Sequence, residues 1–106
     1  MSEGNKTELR VLLGNALLLE TSALSALEVS CNGTESERCK TGLEHLFDAT
    51  SYLVTAAKEI AEANQLQAIK KAEETFRGSK DKDPKVAHRL GMEAVEALED
   101  TETEHE

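Results

Sequence analysis

The sequence predicts an all-α protein, on the basis of its composition, its few turn-forming residues and its apolar periodicity. Leu and Ala supply most of the apolar content, and charged residues make up 31% of the 106 residues, which is typical of helical proteins. One Pro and six Gly are too few for an all-β domain with many turns. Apolar residues also recur three and four positions apart, as they do along one face of a helix. We therefore expect an antiparallel helical hairpin followed by a shorter third helix.

The first predicted helix covers about residues 6–31, and Asn5 can cap its N-terminus, with Glu8 three residues later. Two adjacent apolar stripes run along this helix, and together they make an arc that is wider than one neighbouring helix covers. The first stripe contains Leu9, Leu13, Ala16, Leu17, Leu24 and Leu27, and the second contains Leu12, Leu19, Ala23 and Ala26. This width predicts two partner surfaces, supplied by this chain or by a second copy of it.

The second predicted helix covers about residues 35–77 and follows a helix stop at Asn32-Gly33. Thr34 and Glu37 form the pattern of a capping box at its start. The spacing of its apolar stripe alternates between three and four residues for five turns, which is the strongest periodic signal in the chain. That stripe consists of Leu43, Leu46, Phe47, Thr50, Leu53, Val54, Ala57, Ile60 and Ala61.

The length of the second helix decides the expected architecture. No Gly or Pro interrupts residues 43–77, so we expect one continuous helix that extends beyond the first, with a bend near Asn64-Gln65 as the alternative. Asp83-Pro84 is a strong helix start and begins a third helix over about residues 84–99. This third helix can fold back on the overhanging part of the second.

The charge of the chain is concentrated near its end. The net charge at neutral pH is −9, from 21 acidic and 12 basic residues. Seven of the acidic residues follow Gly91, where no Lys or Arg occurs. We expect a single helical domain over residues 1–99 and an acidic disordered tail over residues 100–106. Strong nucleic-acid binding is disfavoured, because phosphate contacts need uncompensated basic side chains.

Cys31 and Cys39 flank the predicted hairpin loop. They can form a disulfide if their Cα atoms come within about 7 Å, but a reducing cytoplasm favours free thiols, which we expect here. A zinc site needs two further ligands, and only His45 lies nearby in the sequence, so we predict no metal site. The N-terminus has no signal-peptide pattern, and Gly14, Asn15 and Glu20 interrupt its apolar stretch. We therefore expect a cytoplasmic protein that does not contact a membrane.

The segment from Ala87 to Gly91 reads Ala-His-Arg-Leu-Gly and contains His88. It resembles the phospho-accepting helix of histidine phosphotransfer domains, which are small acidic helical bundles in which the His is followed by Leu, Lys and Gly. The resemblance implies that His88 accepts a phosphoryl group. The Lys is absent here and the Gly is one residue early, so we interpret His88 as an ordinary surface histidine and keep the phospho-acceptor as the alternative.

The predicted function is protein–protein interaction by helix packing, as in a small regulator, chaperone or immunity-type protein. Enzyme motifs such as Gly-x-Ser-x-Gly and His-Glu-x-x-His are absent from the sequence, so we expect neither enzymatic activity nor a cofactor. We expect a homodimer in which two hairpins form a four-helix bundle, and a second, unidentified protein partner. The predicted interface comprises Leu9, Leu12, Leu13, Leu19, Leu24, Leu27, Leu43, Leu46, Phe47, Leu53, Val54 and Ile60. The alternative function is phosphotransfer signalling through His88.

Overall fold

The computed structural model describes residues 3–33 and 36–99, and within these ranges all of the regular secondary structure is α-helix. The all-α prediction is therefore confirmed. The four helices are α1 (Glu3–Cys31), α2 (Glu37–Ile60), α3 (Ala63–Gly78) and α4 (Pro84–Glu99). α1 packs against α2 and α4, and α3 packs against the same two helices from the other side. The resulting bundle measures 50 × 23 × 23 Å.

The predicted continuous helix over residues 35–77 is wrong, because the chain turns at Ala61 and Glu62. Both residues have extended backbone angles, and α3 starts immediately afterwards. The side-chain Oε1 of Gln65 accepts a hydrogen bond of 2.9 Å from the backbone N–H of Glu62, which caps the new helix. The turn lies three residues before the Asn64-Gln65 bend that was the alternative. A chain with three predicted helices thus has four.

Side chains from distant parts of the sequence hold this turn in place. Arg10 Nε on α1 donates a hydrogen bond of 2.7 Å to the carbonyl oxygen of Ile60, the last residue of α2. Gln65 Nε2 on α3 donates one of 3.1 Å to the carbonyl oxygen of Leu98 on α4. These bonds satisfy carbonyl groups that a helix leaves unpaired in its last turn. The first turn of α3 therefore lies beside the start of α1 and the end of α4.

The helix starts differ in detail from those predicted. α1 begins at Glu3, so Asn5 lies inside the helix and not at the predicted N-cap position. Ser36 caps α2, and its Oγ accepts a hydrogen bond of 3.2 Å from the backbone N–H of Arg38. Thr34 and the predicted tail over residues 100–106 lie outside the described residues. The helix predicted over about 84–99 spans Pro84–Glu99, but it is the fourth helix of the bundle.

The core lies along the axis of the bundle and draws on all four helices. Phe47 on α2 and Phe76 on α3 meet edge to face, with 5.1 Å between their ring centroids, an arrangement that aromatic rings prefer. Because α3 folds back on α2, Phe76 belongs to this core and not to an overhang. The other large buried apolar residues are Leu17, Leu24, Val54, Ile69, Leu90, Val95 and Leu98.

Candidate functional site

The outward face of α1 carries an exposed row of apolar and small side chains, which we call the α1 stripe. Its large members include Leu12, Leu19 and Val29, whose exposed fractions are 62%, 73% and 72%. Helical spacings of one, three and four residues place the whole set on one side of the helix. The stripe consists of Val11, Leu12, Asn15, Leu18, Leu19, Ser22, Ala23, Ala26, Val29 and Ser30, and every member is exposed.

The α1 stripe contains no charge. The charged residues between Leu9 and Cys31 are Arg10, Glu20 and Glu28, and none of the three is exposed. Arg10 is almost fully buried because it binds the end of α2 and contacts Glu62 Oε1 at 3.4 Å. From Val11 to Ser30 the uncharged face is roughly 28 Å long. The outward faces of α2, α3 and α4 carry exposed Lys, Arg and Glu side chains in every case.

The bundle uses one of the two stripes predicted on the first helix and leaves the other in solvent. In the first stripe, Leu17 and Leu24 are fully buried, and the remaining members are half-buried. In the second stripe, every member is exposed. Residues of the first stripe therefore pack against α2 and α4, whereas residues of the second stripe face water. Three further exposed members of this face, Val11, Leu18 and Val29, were missed by the sequence analysis, although their helical spacing could have identified them.

Most of the predicted interface packs within the chain. Leu24, Phe47 and Val54 are buried in the core. The half-buried members flank that core and are Leu9, Leu13, Leu27, Leu43, Leu46, Leu53 and Ile60. Leu12 and Leu19 are the predicted interface residues that lie exposed. α3 packs against α2 and α4, so it covers apolar residues of α2 that we had expected a second chain to cover, whereas the second stripe of α1 stays exposed.

Cys31 and Cys39 form a disulfide in this structure, with 5.9 Å between their Cα atoms. The bond joins the last residue of α1 to the first turn of α2, across the hairpin loop. The expectation of free thiols therefore does not hold here. Disulfides persist mainly in oxidising compartments, so this pairing is in tension with the expected cytoplasmic location.

Glu73 forms a charged cluster between α2 and α3 that the sequence analysis did not identify. Its side chain is 5% exposed, and its Oε1 lies 3.1 Å from Lys58 Nζ and 3.6 Å from Arg77. Burial, the largest single influence, favours a higher pKa for Glu73. Hydrogen bonds from Lys58 and Thr55, with the charges of Arg77 and Lys58, outweigh burial, so the pKa of Glu73 is lowered. The carboxylate is therefore held ionised and links the two helices.

The two histidines within the described residues, His45 and His88, lie apart from each other on α2 and α4. His45 on α2 and His88 on α4 are exposed, whereas Leu90 and Gly91, which follow His88, are buried. Among the residues that the structure describes, no group of three or more His, Cys, Asp and Glu side chains could hold a metal ion. His88 is therefore accessible to a phosphodonor, whereas Leu90 and Gly91 are buried in the bundle.

Two shallow grooves lie beside α4. One, of about 280 Å³, separates it from α1 and is lined in part by Val11, Leu18 and Leu98. The other, of about 610 Å³, lies between α3 and α4 and is lined by a mixture of acidic, basic and small side chains. The first groove adjoins the α1 stripe, so it extends the apolar surface of that face towards α4.

α1 also meets the length and composition test for a membrane-crossing helix over Lys6–Cys31. We had not expected a membrane-crossing segment here, because Gly14, Asn15 and Glu20 interrupt the apolar run. Core helices of soluble proteins that are equally apolar are mostly buried, whereas 17% of the most apolar segment of α1 is buried in the bundle, and signal sequences near an N-terminus have the same length and composition.

No protein-family model, curated protein or solved structure gave a significant match to this chain.

Proposed function

We propose that this protein is a non-enzymatic helical interaction module, of the regulator, chaperone or immunity type, that self-associates through the α1 stripe. The observation that supports the proposal is an uncharged face with five large exposed apolar side chains, Val11, Leu12, Leu18, Leu19 and Val29. Monomeric soluble proteins rarely expose a contiguous apolar patch of this kind, and such patches commonly mark protein interfaces.

The energetic reason is the transfer of these side chains out of water. Fully burying a Leu side chain contributes roughly 1.5–3 kcal/mol, and Leu19 has most of that to gain because it is 73% exposed. The stripe is roughly 28 Å long and about 10 Å wide, the footprint of one helix. An interface built on one helix from each chain lies at the small end of specific interfaces. We therefore propose a reversible dimer and not an obligate one.

A second copy explains the stripe better than a lipid surface does. The inner face of α1 is fixed in the bundle by buried Leu17 and Leu24 and by the hydrogen bond from Arg10 to the end of α2. Helices that lie on membranes usually carry Lys and Arg beside the apolar face, whereas α1 itself has no exposed Lys or Arg between Leu9 and Cys31. The net charge of −9 also opposes binding to anionic lipids.

Sedimentation velocity across micromolar to hundreds of micromolar concentration tests the proposal. We expect the wild-type protein to pass from an 11.6 kDa monomer to a dimer as concentration rises. Leu19→Glu should raise the dissociation constant at least tenfold (about 1.4 kcal/mol), because a charge would enter an apolar interface. Circular dichroism checks that the variant remains folded.

Tyr52→Glu is the matched control. Tyr52 is 76% exposed, close to the value for Leu19, but it lies on α2 outside the stripe. The control should leave the dissociation constant within about twofold of wild type, since surface substitutions usually change free energies by under 0.5 kcal/mol. A wild-type protein that stays monomeric at the highest concentration, or equal effects of the two variants, would refute the proposal. Phosphotransfer through His88 stays a prediction that phosphodonor labelling and intact-mass measurement would test.

A further inference from the structure

We infer that the α1 stripe is covered by α1 of a second copy running in the opposite direction. This inference rests on the proposed function and specifies the geometry of the pair. The centre of the stripe has the alternating spacing of a coiled-coil seam, in which every third and fourth residue faces the partner helix. The seam residues are Leu12, Asn15, Leu19, Ser22, Ala26 and Val29, all of them exposed.

The distribution of side-chain size along the seam favours the antiparallel arrangement. Bulky residues dominate its N-terminal half, where Val11 and Leu18 flank Leu12 and Leu19. Small residues dominate its C-terminal half, around Ser22-Ala23 and Ala26. In a parallel pair each residue meets its own copy, so two leucines crowd one layer while two small side chains leave a gap in another. Close packing disfavours such unevenness.

A layer here means the residues, one from each helix, that lie at the same height along the seam. In an antiparallel pair the summed side-chain size varies less from layer to layer. Placing the two-fold axis level with the peptide bond between Glu20 and Thr21 sets Leu19 of one copy in the same layer as Ser22 of the other. The same register puts Asn15 in a layer with Ala26, which is a small partner for a polar side chain. At both ends of the seam, Leu12 of one copy lies in a layer with Val29 of the other. The inner layers thus combine one larger and one smaller side chain.

The charges on the helices beside α1 point to the same arrangement. α2 and α4 both run opposite to α1, as the contacts of Arg10 with Ile60 and of Gly14 with Leu98 show. Exposed Glu59 and Glu99 lie at the ends of α2 and α4 beside the N-terminal half of α1, and Glu99 lines the same groove as Val11 and Leu18. At the opposite ends of these two helices, beside the C-terminal half of α1, exposed Arg38, Lys40 and Lys85 outnumber the exposed acidic residue Glu37. Only an antiparallel pair brings the acidic end of one copy to the basic end of the other.

A charge-pair experiment at the ends of the seam tests the direction. Leu12 and Val29 are both exposed and lie roughly 26 Å apart along one helix, so their side chains meet only across an antiparallel interface. We expect L12E and V29K each to weaken association at least tenfold, as an unpaired charge in an apolar contact should. The double variant L12E/V29K should recover about fivefold relative to the weaker single variant, because two symmetric ion pairs form.

The control is L12E/V29E, which places like charges in the same layers and should associate more weakly than either single variant. A parallel dimer predicts that both double variants associate more weakly than the single variants and by a similar amount, since like charges would then face each other at both ends in each of them. If L19E dissociates the dimer but L12E/V29K is no tighter than its single variants, the antiparallel arrangement is overturned while self-association stands. A monomeric wild type that floats with phosphatidylcholine vesicles would overturn both.

Discussion

The buried glycine of α4 offers the sharpest test of the packing. A methyl group added at Gly91 would overlap the Thr21 methyl group on α1 and lie 3.1 Å from the Thr50 methyl group on α2. Both threonines are fully buried. Thr21 Oγ1 donates a hydrogen bond of 2.9 Å to the carbonyl oxygen of Leu18, so its methyl group cannot rotate away without losing this bond. We therefore predict that Gly91→Ala destabilises the protein.

Whether Gly91→Ala raises or lowers the free energy of unfolding shows which of two opposing contributions is larger. Within a helix, Gly→Ala normally stabilises by up to about 1 kcal/mol through helix propensity. Inserting a methyl group into a well-packed core costs about 1–3 kcal/mol. Because Thr21 and Thr50 both confine the added group, we expect the packing cost to prevail and the free energy of unfolding to fall by about 1–2 kcal/mol. A drop of this size lowers the melting temperature by about 4–16 °C.

Urea denaturation followed by circular dichroism at a fixed protein concentration measures the change, and the fixed concentration removes any contribution from association. Gly14→Ala on α1 is the matched control, because a methyl group added at Gly14 would lie 4.0 Å from its nearest side-chain neighbour, Leu98 Cδ1, which is an ordinary contact distance. It should stabilise the protein by about 0.5–1 kcal/mol. Thr21→Ser removes the obstructing methyl group, so it should cost less in the Gly91→Ala background than in wild type. A stabilising Gly91→Ala substitution would contradict the packing described here.

Two further predictions concern the disulfide and the buried carboxylate. Replacing Cys31 and Cys39 with Ala should lower the free energy of unfolding by about 2.5 kcal/mol, the loop-closure entropy of a bridge spanning eight residues; an unchanged urea midpoint would contradict this. The lowered pKa of Glu73 contributes stability that is present above its ordinary value of 4.5 and is lost as pH falls through the lower folded value. Glu73→Gln should therefore cost about 1–3 kcal/mol at neutral pH and flatten the acid limb of the stability profile. Parallel acid limbs for the two proteins would count against the role of Glu73.

The candidate site could be predicted in part. The apolar arc on the first helix was visible in the sequence, because helical spacing alone decides which residues share a face. Helical spacing also assigned Leu12 and Leu19 to the second stripe of the first predicted helix. The sequence could not show how much of the arc one chain would cover, since that depends on how many helices pack against α1. Helical spacing places Val11, Leu18 and Val29 on the same face as Leu12 and Leu19, but only the packing of the other helices decides that this face stays exposed.

Composition and periodicity by themselves determined that this protein is helical, because helix propensity and amphipathic spacing act over a few residues. Only the tertiary structure decided that the second predicted helix divides at Ala61 and Glu62. No Gly or Pro marks that position, and the turn is held by bonds from Arg10 to Ile60 and from Gln65 to Leu98, which join residues 50 and 33 positions apart. Such long-range bonds leave no local signal. The division makes a four-helix bundle from one chain and leaves the α1 stripe uncovered.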